Sequence, residues 1–386
     1  MGVEFKLGRQ DHKKVEDFLG RRPTGVDAIT IDVNHASYQA SAADEAKAMG
    51  IDVLIDPLTE RLADIGFEPD GLEYFTPGEP IDTDLLRTDW AACRQFVRQV
   101  LDAQRPLATK LIPPHFYVHD PASARLNIRL ARMAVELADG MPVRPVLLVS
   151  RQFAVANLDR FAANYRGLDE VTEVELRVTP FGGDDESAGK IRSVFGIADA
   201  FREGDLDVVL GYSGNIGQTA LALNHVTGFS LGIGMREHVN HASTINRQVR
   251  ALDETDDDNN HFGAHAGVYL PGPAATVNRT TGAAMLADTT IRTRIGCRIG
   301  KCANGINGPA ADPRDHYLHA KAYEVAELIG TPAPWRANTE HGRLGRALML
   351  RELINAGHIP PGAYTLKTRT VRGLLEGIDY EQRLSA

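Results

Sequence analysis

From residue 26 onward, short apolar runs alternate with longer amphipathic segments, and that rhythm leaves few folds open. The strand candidates are AITIDV (28–33), DVLID (52–56), TKLIP (109–113), PVLLVS (145–150), EVELRVTP (173–180), DVVLGY (207–212), FSLGIG (229–234) and GAHAGVYL (263–270). Between them lie segments such as TDWAACRQFVRQVLDAQ and SARLNIRLARMAVELADG, with apolar residues at three- and four-residue spacing. Eight strands alternating with helices over about 245 residues predict an α/β fold, a (β/α)8 TIM-type barrel spanning 1–270. A doubly wound sheet is the alternative, because periodicity does not report closure. After Tyr269 the rhythm breaks. Residues 271–330, which hold Cys297, Cys302, His316 and His319, are expected to form a late zinc-binding insert with a barrel-closing helix, and 331–386 a helical C-terminal extension.

Composition narrows the function classes. The 386 residues are 43% hydrophobic and 24% charged, with a formal net charge of −9. This is the profile of a globular protein that is not coated in basic surface, so contact with a polyanion needs a local patch. Three cysteines cannot build a secreted disulfide framework. The N-terminal MGVEFKLGRQDHKK lacks the apolar stretch of a signal peptide, and no apolar run reaches membrane-spanning length. The expectation is a cytoplasmic enzyme with no membrane partner.

Two of the three cysteines, Cys297 and Cys302, fall within CRIGKC, and Asp315, His316 and His319 follow at the start of a helical pattern. Thiolate and imidazole are the ligands of tetrahedral zinc. A structural Zn2+ site is expected, held by Cys297, Cys302, His319 and one of His316 or Asp315. Arg292, Arg294, Arg298 and Lys301 make the same segment locally basic, a candidate contact for a nucleic-acid backbone. Cys93, in AACRQFVRQV, reads as buried packing.

Polar residues at the C-terminal ends of barrel strands face the reaction centre. Asp32 and Asp56 occupy such positions. Asp56, followed by Pro57, reads as a general base or charge stabiliser, or as the turn-capping residue of the next helix. Gly182 and Gly183, Gly214, and Gly232 and Gly234 follow three successive strands, where missing side chains let a flat ligand approach the backbone. GYSGNIG, ahead of a helix, could cradle a phosphate, but it lacks the P-loop lysine and the dinucleotide spacing. His35, His115, His119, His261 and His265 are spaced too irregularly for a histidine metal motif.

In order, these pieces resemble the tRNA-guanine transglycosylase superfamily, which includes relatives acting on DNA. VLIDPLTER (53–61) resembles the strand ending in DSGGFQ, RVTPFGGD the IVQGG strand, GYSGNIG the GGLAVGE turn, and SLGIGMREH the LMGVGxPED segment. VNRTTGAAM (277–285) is similar to RNARxGTLF, and CRIGKC…HYLHAKAYEVAEL to CxCxxC…AYLHHLxRAxE. The colinear matches run over 52–328. They imply a barrel with a late zinc subdomain, a base pocket around Asp56, and exchange of guanine for a 7-deazaguanine. One zinc cysteine is absent, PLTE replaces GGFQ, and HFGAHAGVYLP carries no carboxylate where the resemblance places the nucleophilic Asp.

With one pocket carboxylate, hydrolytic base excision stands beside exchange. The first expectation is therefore chemistry on the N-glycosidic bond of DNA or tRNA, with Asp56 as acid, base or stabiliser and His265 assisting. Asp32, Gly182, Gly183, Gly214, Gly232 and Gly234 would bind the flipped base. A homodimer is the candidate assembly. Two alternatives are carried: a metal-dependent barrel hydrolase or lyase on a small metabolite, with His35, His115 and Glu237 around the ion, and a non-catalytic nucleic-acid-binding relative.

Overall fold

The computed structural model describes residues 2–234, 236–252, 267–303, 308–357 and 365–384. Seven parallel strands form one curled sheet: β1 (Gly2–Leu7), β2 (Val26–Asp32), β3 (Asp52–Asp56), β4 (Val146–Ser150), β5 (Glu173–Thr179), β7 (Asp207–Leu210) and β8 (Gly228–Gly232). Their order is β3-β2-β1-β8-β7-β5-β4. Isolated parallel bridges link β3 and β4 through residues 110–118: Leu54 pairs with Lys110, Leu111 with Val143, and Val118 with Val149. The sheet is thus a half-barrel whose remaining gap is spanned by an irregular stretch of chain. Two short antiparallel pairs lie outside it, β6 (Phe181–Gly182) with β9 (His238–Val239), and β10 (Val268–Leu270) with β11 (Ala275–Val277).

This corrects the strand count. Of the expected eighth strand, 263–270, residues 263–266 lie outside the described residues; Val268–Leu270 is not in the sheet and turns back on Ala275–Val277 as a hairpin. The unanticipated strand is β1, GVEFKL, which lies centrally between β2 and β8. Val3, Phe5 and Leu7 join the main hydrophobic core, where Phe5 meets the Phe18 ring edge-on at 5.9 Å. Glu4 and Lys6, on the alternate face, are buried too. A strand with charges on one face reads as surface, yet both faces of a curled parallel sheet are covered.

The helix Pro313–Gly330 follows the hairpin and packs on β1. Asp312 caps it by accepting from the Asp315 amide, with Pro313 at the first helical position. Helices Ala333–Ala356 and Arg369–Leu384 follow. A separate small core joins Val268, Leu270, Val277, Met285, Leu286 and Ile295 to Ile354 and Leu366. Among the described residues no helix is long and apolar enough to cross a membrane.

Candidate functional site

The sheet interior holds an ion-pair network beside a small apolar cluster of Ala28, Leu54, Ile112 and Val146. Arg144 donates to Glu4 Oε2 at 2.5 Å and to Glu175 Oε2 at 3.2 Å. Lys6 Nζ lies 3.0 Å from both Glu4 and Glu175. Arg177 holds Glu175 Oε1 through Nε at 2.9 Å and Asp56 Oδ2 through Nη2 at 2.6 Å. All are buried, so the carboxylates stay ionised only because the cations outweigh desolvation. Burial pushes Glu4 up, but Arg144 and Lys6 bring it down to about 2. Asp56 is likewise raised by burial yet held far below the usual carboxylate range by Arg177, His115 and Lys6.

Asp56 ends β3, and in register beside it Asp32 ends β2. Asp56 Oδ1 accepts from the Leu58 amide at 3.1 Å, so the turn-capping role is also filled. Two neighbouring carboxylates are driven apart. Burial raises Asp32, with Arg236 only partly offsetting it and Asp56 adding to it, whereas Asp56 is lowered. Four residues beyond Asp56, Glu60 faces His115 across 3.3 Å. Asp56, Glu60 and His115 each place a ligand-type atom within 4.8 Å of the others. Glu60 Oε2 and His115 Nε2 are buried and have no polar partner but each other. Burial works against a charged imidazole, but Glu60 and Asp56 raise His115 above its ordinary value.

The expected metabolite-metal set is only partly assembled. His115 belongs to this group, whereas His35 sits on the 3-10 turn Val33–Gln39 beside Asp32. Glu237 is engaged elsewhere, accepting from Tyr317 Oη at 2.5 Å. Glu60 takes their place. Its visible sign was the DPLTE spacing, since a β-strand end and the next helical turn bring residues four apart to one mouth.

The glycines are brought to segment 236–239. A side chain on Gly182 would lie 2.7 Å from the Glu237 carbonyl, and one on Gly214 would lie 2.5 Å from the Glu237 carboxylate. One on Gly232 would strike Arg236, and the Gly183 amide donates to Glu237 O at 2.9 Å. Gly234 has φ +89° at the end of the β8 turn. The start of helix Gly214–Ala222, read as a phosphate cradle, thus has the Glu237 carboxylate against it. His265 lies outside the described residues. A cavity of about 370 Å³ opens at the opposite, N-terminal end of the strands, beside Glu4, Asp52, Lys110, Arg144 and Glu173.

Cys297, Cys302, His316 and His319 converge with all ligand atoms within 4.8 Å. Cys302 Sγ lies 3.5 Å from His316 Nδ1 and 3.3 Å from His319 Nε2; Cys297 Sγ lies 3.6 Å from His319 Nε2. The outer contacts are in place as well: His316 Nε2 meets the Tyr269 carbonyl at 2.7 Å, His319 Nδ1 faces Asp315 at 3.8 Å, and the Ile299 amide donates to Cys297 Sγ at 3.4 Å. Asp315 thus stands outside the group, facing His319 and pairing with Arg21. Contact with Cys302, then with His316 and His319, draws the Cys297 thiol down to about 2 against the opposing effect of burial. Nearby, Arg294 and Arg298 are exposed and Arg292 half-buried. The Lys301 side chain lies outside those described.

No protein family and no curated protein matches the sequence. Solved structures with a related outline include β-methylaspartase from Clostridium tetanomorphum (11% identity, TM-score 0.35, 66% of this chain and 59% of that chain). The 3-dehydroquinate dehydratase from Aquifex aeolicus gives 10% identity and TM-score 0.34, covering 65% of this chain and 98% of that one. GH5_18 from Streptomyces cattleya gives 15% and 0.36, covering 64% and 76%. At such scores the likenesses decide neither family nor reaction.

Proposed function

We propose that this chain is a metal-dependent hydrolase or lyase acting on a small metabolite at the C-terminal ends of its parallel strands. The observation that carries the reading is the group Asp56, Glu60 and His115, buried, mutually within 4.8 Å, and including two polar atoms, Glu60 Oε2 and His115 Nε2, that face only each other. A divalent cation held there would supply Lewis-acid polarisation of a substrate oxygen. Arg177 keeps Asp56 ionised and aimed, and Asp32 beside it is the group whose raised proton affinity suits acid–base work. The test is titration of the full chain with Mn2+ or Mg2+ alongside Glu60→Gln and His115→Gln. The wild type binds and each variant loses at least tenfold in affinity; equal binding by the variants sinks the assignment.

The Cys297, Cys302, His316 and His319 group we assign to structural zinc. Bonds of about 2.3 Å to sulfur and about 2.0 Å to nitrogen in a tetrahedron separate S from N by about 3.5 Å. The observed separations of 3.3, 3.5 and 3.6 Å fit, and all four positions are filled by protein, as a structural site requires.

A second reading is base exchange or excision on DNA or tRNA. It is favoured by the place of the Cys/His group, which follows β8 and takes two of its members from the start of the helix packed on β1, and by the exposed Arg294 and Arg298 beside it. Mass spectrometry for a free base after incubation with DNA and tRNA separates the readings. Base release lost in Asp56→Asn would replace the first with the second.

A further inference from the structure

The helical turn Thr59–Leu62 leaves β3 at the same mouth, and Arg61 follows the candidate ligand Glu60 on it. Its guanidinium stacks over the Phe67 ring at 3.6 Å, and its Nε donates to Gln248 Oε1 at 3.4 Å. Gln248, buried on helix His241–Arg250, uses its amide nitrogen on the carbonyls of Arg61 (2.9 Å), Ile65 (2.9 Å) and Asp64 (3.3 Å). That commitment fixes the amide orientation, so Oε1 has to face Arg61. Phe67 and Gln248 therefore hold the guanidinium in one plane before any ligand arrives.

What Arg61 lacks is a directly bonded anion. Among the described residues it forms no ion pair, and neither Nη atom has a hydrogen-bond partner. The other enclosed guanidinium groups of this interior, Arg144 and Arg177, each hold two or more carboxylates. A planar fork with both terminal nitrogens unengaged, stacked and oriented, matches the two oxygens of a carboxylate or phosphate.

We infer that Arg61 is the anion-binding residue of this mouth, that it sets specificity for a substrate bearing a carboxylate or phosphate group, and that Phe67 and Gln248 are its positioning residues. The inference rests on the reading that substrate enters at this face, but it does not require the metal. It is tested by calorimetric titration of the full chain, at low ionic strength, with sodium phosphate and separately with succinate. The wild type is expected to bind one of the two, which tells phosphate from carboxylate recognition. Arg61→Gln should weaken that binding at least tenfold, the loss of a charge-assisted bidentate contact. Gln248→Leu and Phe67→Leu should weaken it several-fold while leaving Mn2+ binding unchanged, a split that general loosening of the fold would not give. Failure of the wild type to bind either anion, or undiminished binding by Arg61→Gln, overturns the inference. Anion binding that depends on Arg61, with no Mn2+ binding by the wild type, supports it and removes the metal reading alone.

Discussion

Arg177→Leu is the sharpest probe of the buried network. The substitution removes one guanidinium that bonds Asp56 at 2.6 Å and Glu175 at 2.9 and 3.0 Å. Glu175 keeps Lys6 and Arg144, so the orphan is Asp56, buried at 1% exposure. Breaking a buried pair by deleting one partner costs about 3–5 kcal/mol, because the remaining charge stays desolvated. Unfolding entropy of about 2.1 cal/mol/K per residue gives roughly 0.8 kcal/mol per degree for a chain of this length, hence a fall in Tm of about 4–6 °C. Arg177→Leu/Asp56→Leu should recover about 2 kcal/mol of that loss, since no charge is left unpaired.

Acidity supplies a second readout. In the wild type the lowered Asp56 contributes stability that is complete above its unfolded value and is lost as pH falls through its still lower folded value. In Arg177→Leu, burial is opposed less, so the folded value rises and the deficit is relieved on acidification. The gap between variant and wild type should narrow from pH 7 to pH 5 in urea denaturation. A single variant within about 1 kcal/mol of wild type, or strictly additive losses in the double variant, would refute the argument.

Elemental analysis should find one zinc per wild-type chain and none in Cys302→Ser. Hydrogen exchange should then accelerate in Val268–Leu270 and the first turn of Pro313–Gly330, where His316 meets the Tyr269 carbonyl, while β1 to β5 keep their protection. Burial raises Glu237, with Lys321 and Tyr317 only partly offsetting it. A raised carboxylate costs stability above its folded value, so Glu237→Gln should be more stable than wild type at pH 8 in thermal melts. That advantage should shrink toward pH 4.5.

Much of the architecture was legible because six of the eight strand candidates are apolar runs that enter the sheet, and a seventh, 109–113, supplies bridges across its gap. β1 was not, since Glu4 and Lys6 look solvent-facing until Arg144, Thr30 and Glu175, all distant in sequence, are brought around them. The alternation of EVELRVT carried the same hidden sign, with charges at 173, 175 and 177 and apolar residues between. The convergence of Cys297 and Cys302 with His316 and His319 was readable from ligand chemistry and spacing, with His316 rather than Asp315 in the group. Glu60 and Arg61 were not singled out, because their roles depend on His115, Phe67 and Gln248 arriving from other elements.

The place of β1 also sets a clock. Its neighbour β8 begins at Gly228, so at roughly 5–20 residues per second of synthesis about 10–45 s separate the two strands. Through that interval the nascent chain holds an unfinished sheet edge. Bare edges recruit other chains, and inward-pointing charges are a standing deterrent to that pairing. Glu4 and Lys6, which later lock the interior, would first serve as guards against premature partners.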